Sequence, residues 1–77
     1  MIAVNFTEEE LVEIANHTVF TAFHALEDDT EEAHALIDIA VAIIDKIEAA
    51  YPDYVDSEEL CCEEELAALR EAVANRK

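Results

Sequence analysis

The feature that most constrains this 77-residue chain is the complete absence of glycine. Tight hairpin turns need positive φ, which glycine supplies without steric cost, so an all-β fold is poorly served by this sequence. Pro52 is the only proline, which leaves long helices free to run uninterrupted. Ala, Leu, Ile and Glu recur throughout, and all but isoleucine rank high in helix propensity. The expectation is a single all-α domain. At this length its core is small, so very regular packing or self-association must help stabilise it.

Three helices are legible. In "NFTEEEL" Thr7 can cap, Glu10 stands three residues on as its capping-box partner, and Phe6 with Leu11 can form the hydrophobic staple. Turned at 100° per residue, the first helix gathers Leu11, Val12, Ile14, Ala15, Val19, Ala22, Phe23 and Leu26 on one half of the wheel. Glu9, Glu13, His17, His24 and Glu27 take the other half, and Phe20 falls among these acids. Asp29 or Thr30 can cap a second helix that stops before Pro52. Its apolar arc exceeds half the wheel, so it is either central in the domain or shared with another chain. "VDSEEL" repeats the first start: Asp56 as cap, Glu59 three on, Val55 and Leu60 as staple. Cys62, Leu66, Leu69, Ala72 and Val73 give the third helix a narrower apolar face. The reading is a three-helix bundle with helices near 7–27, 30–51 and 57–75, which admits a homodimer through the second helix.

Twenty acids against four bases give a net charge of −16, roughly double the usual upper figure of about 8 for a small soluble domain. Hydrophobic residues make up 53% of the chain, far too many for a disordered acidic tail. Such a charge repels nucleic acid and anionic membranes and attracts basic surfaces. Ten acids (Glu8, Glu9, Glu10, Asp28, Asp29, Glu31, Glu32, Asp56, Glu58 and Glu59) fall at expected helix starts, where each gains about 0.3–1 kcal/mol from the helix dipole. Much of the remainder has no such explanation. Neither Lys46 nor Arg70 has an acid three or four residues away, so neither forms a standard ion pair within its own helix. Glu13, Glu27, Asp38, Asp45, Glu63, Glu64 and Glu71 are therefore candidate partner-binding carboxylates. Phe20, flanked on the wheel by Glu9, Glu13 and Glu27, is a candidate apolar anchor for the same face.

Other chemistry finds little support. Cys61 and Cys62 are adjacent, with Cα atoms about 3.8 Å apart, closer than a disulfide ordinarily allows. Cys62 reads as core and Cys61 as its edge. His17 and His24 stand about 10 Å apart along a helix, too far to share an ion. Glu31-x-x-His34 has the spacing of a di-iron element, but it lies in a first turn without inward-facing glutamates. No nucleophile–base pair, phosphate loop or cofactor fingerprint is present. The expectation is a non-enzyme with no cofactor and no metal. The longest strictly apolar run is Ile39 to Ile44, too short to span a bilayer; with no visible targeting signal, a cytoplasmic location is expected.

In size, charge and helicity the chain resembles the small phage-encoded inhibitors that mimic DNA, the anti-CRISPR and anti-restriction proteins. The resemblance covers the whole chain loosely, rests on no motif, and assigns no residue. It implies a partner protein with a basic nucleic-acid-binding surface, and no direct contact with nucleic acid or membrane. The alternative is a small helical homo-oligomer serving as an adaptor or assembly subunit, with Ile39, Ala42 and Ile43 at its interface.

Overall fold

The computed structural model describes residues 4–76. They form three α-helices and one short 3-10 helix: α1 (Glu8–Ala25), α2 (Glu31–Ala50), the 3-10 turn Pro52–Asp56, and α3 (Glu63–Arg76). No strand occurs among the described residues. The all-α three-helix reading holds, and two of its helices end within two residues of the expected boundaries.

The local signals for those two helices act as written. Thr7 accepts from the Glu10 amide at 3.1 Å, while Glu10 Oε1 accepts from the Thr7 amide at 2.8 Å, closing the capping box. Thr30 caps α2 by accepting from the Ala33 amide at 3.1 Å. Pro52 then stops α2 at Ala50, and the chain tightens into the 3-10 turn.

The third helix starts six residues later than the sequence suggests. Asp56 does not cap it, and Val55 stays exposed while Leu60 is buried. Leu60 and Cys62 both point into the core, which an extended segment permits and a helix forbids, since residues two apart on a helix diverge by about 200°. The backbone of residues 59 and 61 bonds to Asn16 of α1. Tertiary burial and these bonds together outweigh the local cap.

The core is a single cluster in which Val12, Ala15 and Val19 of α1 meet Ile37, Ala40, Ile44 and Ile47 of α2, with Tyr54, Leu60, Cys62 and Leu69 sealing the open side. Cys62, at the start of α3, sits on Ala15, its thiol donating to the Ala15 carbonyl at 3.8 Å. Two turns later Arg70 reaches Asp45 and Glu48 of α2. The third helix thus passes from the α1 side of the pair to the α2 side. Because α3 begins against the Asn16 side of α1, the buried arc of α1 is turned toward Phe20, which is half-buried against the core. Phe23, expected inside, is exposed in the last turn. No helix among the described residues is long and apolar enough to cross a membrane.

Candidate acidic binding surface

Asn16 holds the acidic segment before α3 against α1. It is the one buried polar residue among those described, at 8% exposure. Its Nδ2 donates to the Glu59 carbonyl at 2.9 Å, and its Oδ1 accepts from the Cys61 amide at 3.0 Å. This two-sided bond pins the segment 59–61 to the middle of α1. Burying an asparagine is tolerable because both ends of its amide are partnered.

Two acidic clefts adjoin the pinned segment. Glu8, Glu9 and Glu59 line one, together with Tyr51 and Ser57. Cys61, Glu63, Glu64 and Glu65 line the other. No base lines either cleft. The first turn of α1, the loop before α3 and the first turn of α3 thus carry two acidic clefts, both next to the pinned segment, and together these are the candidate acidic surface. Glu13 extends it, one turn beyond Glu9 on α1. The Tyr51 hydroxyl senses this field: its pKa is raised first by burial, then by the carboxylates of Glu8, Asp53 and Asp56.

The eight residues singled out from the sequence do not converge on one place. Glu13, Glu63 and Glu64 belong to this surface, and all are exposed. Glu13 lies 3.2 Å from His17 Nε2, one turn along α1. Glu63 and Glu64 stand in the first turn of α3 rather than in mid-helix, so the helix dipole accounts for part of their presence. Asp45 is not uncompensated: Arg70 Nη1 reaches its Oδ1 at 3.1 Å from across the helix interface. Glu27 sits in the turn after α1, Asp38 on the exposed side of α2, and Glu71 on the exposed side of α3. Phe20 packs against the core and is not presented as an outward anchor.

The sequence reading missed Glu8, Glu9 and Glu59 as surface members because each looked sufficiently explained by a helix start. It also missed a network that ties the 3-10 turn and α3 to α2. Tyr54 donates its hydroxyl proton to Glu48 Oε1 at 2.9 Å, and Arg70 Nη2 donates to the same oxygen at 3.0 Å. Tyr54, Leu60, Leu66 and Arg70 line a shallow groove of about 270 Å³ there. Among the described residues no group of three or more His, Cys, Asp or Glu side chains is placed to hold a metal ion.

Burial pushes the Cys62 thiol from its ordinary 9.0 up to about 11, with Cys61 and Glu65 adding to the effect. Burial and then the bond to Glu48 push Tyr54 from 10.0 up to about 12. Both groups are neutral when protonated and hold their protons more tightly in the folded state. Their contribution to stability is therefore complete below the unfolded pKa and is lost as pH rises through the folded one. The urea midpoint, followed by far-UV circular dichroism, should stay level with respect to these groups up to about pH 9 and fall above it. Cys62→Ala should delay that fall until Tyr54 begins to matter, near pH 10. A wild-type midpoint that does not fall between pH 9 and 11 would show that neither group is protected by the fold.

Comparisons with protein families, with curated proteins and with solved structures find no match to this chain.

Proposed function

We propose that this chain is a binding protein whose acidic surface occupies a basic, nucleic-acid-binding surface of a partner protein and blocks it, in the manner of a DNA mimic. The observation that carries the reading is the Asn16 clamp, which fixes Glu59 beside Glu8 and Glu9 and just before Glu63 and Glu64. Carboxylates held on a rigid frame, with no base in their clefts, keep a potential that a freely moving acidic tail would spread out. Side chains three or four apart on a helix stand about 5–6 Å from one another, a spacing of the same order as that of backbone phosphates. The anti-CRISPR and anti-restriction inhibitors are the class whose size, charge and helicity this surface fits.

The test is affinity capture from nuclease-treated lysate, eluted with salt or with duplex DNA as competitor. A nucleic-acid-binding protein released by both is the expected result. Glu9, Glu13, Glu59, Glu63 and Glu64 changed together to glutamine should weaken that capture by at least about tenfold, or ~1.4 kcal/mol. The helical circular dichroism of the variant should be kept. Capture that survives this neutralisation, or that DNA cannot displace, would refute the reading.

A further inference from the structure

The second helix carries more apolar surface than the three-helix core uses. Ile39 is 58% exposed and Leu36 40%, and with Ile43 they border an open groove of about 330 Å³ whose other wall includes Thr18 and Thr21 of α1. Ala35 and Ala42 are exposed on the same side. At 100° per residue these positions, with Glu32 and Lys46, occupy a sector of about 120° centred on Ile39. The sector holds one acid and one base. Neither Glu32 nor Lys46 makes an ion pair among the described residues. On a chain of net charge −16 this is a face without net charge.

Its pattern is self-complementary about Ile39. Glu32 lies seven residues before it and Lys46 seven after; Leu36 lies three before and Ala42 three after; Ala35 lies four before and Ile43 four after. We infer that this face joins two copies of the chain, with α2 packed antiparallel to its mate across a two-fold axis at Ile39. In that register each Lys46 meets the other copy's Glu32, each Leu36 packs against the other copy's Ile43 on one flank of the seam, and each Ala35 against the other copy's Ala42 on the other. Leu36 and Ile43 thus bury each other along one flank, while the paired alanines keep the other flank within the usual 8–10 Å between helix axes. A parallel pairing would set Lys46 against Lys46 and Glu32 against Glu32, which like-charge repulsion disfavours. The isologous, two-fold arrangement uses one patch twice and turns the acidic surface around Glu59 outward on both copies. This inference stands on α2 alone and is independent of the inhibitor reading.

Analytical ultracentrifugation of the full chain near physiological salt tests it. The wild type should sediment as a reversible dimer. Lys46→Glu converts two attractions into two repulsions and should raise the dimer dissociation constant by about tenfold. The exchange Glu32→Lys with Lys46→Glu should restore it. Ile39→Asp should give a monomer with its helical circular dichroism intact, since that side chain is outside the core. A wild type that is monomeric at millimolar concentration overturns the inference. So does a dimer indifferent to Lys46→Glu or Ile39→Asp, or one that the charge exchange fails to restore.

Discussion

Replacing Tyr54 with alanine is expected to lower the unfolding free energy by about 3–5 kcal/mol, the range for removing a large aromatic side chain from a packed interior. For a chain of this length total stability is about 4–12 kcal/mol, so this one change brings the domain close to unfolding. Tyr54 is only 1% exposed and is the largest fully buried side chain. It sits in the 3-10 turn between α2 and α3, so its ring anchors the connection as well as filling the core. Its hydroxyl bonds to Glu48, which Arg70 of α3 also grips. Two losses can be separated. Tyr54→Phe keeps the ring, and Glu48 keeps Arg70, so only about 1 kcal/mol should be lost. Urea unfolding followed by far-UV circular dichroism measures both variants. If alanine cost no more than phenylalanine, the hydroxyl network rather than the ring would be holding the turn.

The reach of the sequence reading follows the range of the forces concerned. Thr7, Glu10, Thr30 and Pro52 act on backbone groups within four residues, and each could be read where it stands. The same local grammar at Asp56 and Glu59 failed, because bonds from Asn16, 43 and 45 residues away, claim that backbone first. Nothing near Asp56 announces this competition. The only trace is an asparagine at the edge of the apolar half of α1, next to Phe23 on the wheel. Asp45 follows the same logic: its partner Arg70 lies on another helix, beyond any rule for neighbours three or four apart. Phe20 falls outside the apolar half of the α1 wheel, but α1 packs against both α2 and α3 and buries a wider arc than that half.

The excess of acid is therefore legible in the sequence, and its grouping in space is not. The excess of carboxylates is a property of composition and needs no structure. Which of them stand together depends on where the loop before α3 is pinned. That pin gathers Glu8, Glu9 and Glu59, which looked merely structural, and leaves Glu27, Asp38 and Glu71 on other parts of the surface. The late start of α3 also gives Glu63, Glu64 and Glu65 a dipole to complement. These three can serve the helix and a partner at once, since a first-turn carboxylate points its charge toward solvent.

Asn16→Ala is accordingly expected to cost about 2–4 kcal/mol, the second large effect. The substitution deletes both bonds of the clamp and leaves the Glu59 carbonyl and the Cys61 amide without their partner, each at about 1–3 kcal/mol unless water reaches them. Asn16→Asp keeps the acceptor for the Cys61 amide but sets a second oxygen against the Glu59 carbonyl, so it should do no better than alanine. Amide hydrogen exchange gives the sharper reading. Protection at Cys61 should fall toward that of an open loop in Asn16→Ala, while amides in the middle of α2 lose only what the drop in global stability takes from them. Undiminished protection at Cys61 would mean that Leu60 and Cys62 hold the loop by burial alone. The same variant links fold to binding: with Glu59 no longer fixed beside Glu8 and Glu9, capture of a basic partner should weaken even though every carboxylate is still present. Equal capture by the wild type and Asn16→Ala would show that the amount of negative charge matters and its arrangement does not, which would separate an acidic binder from a mimic of DNA.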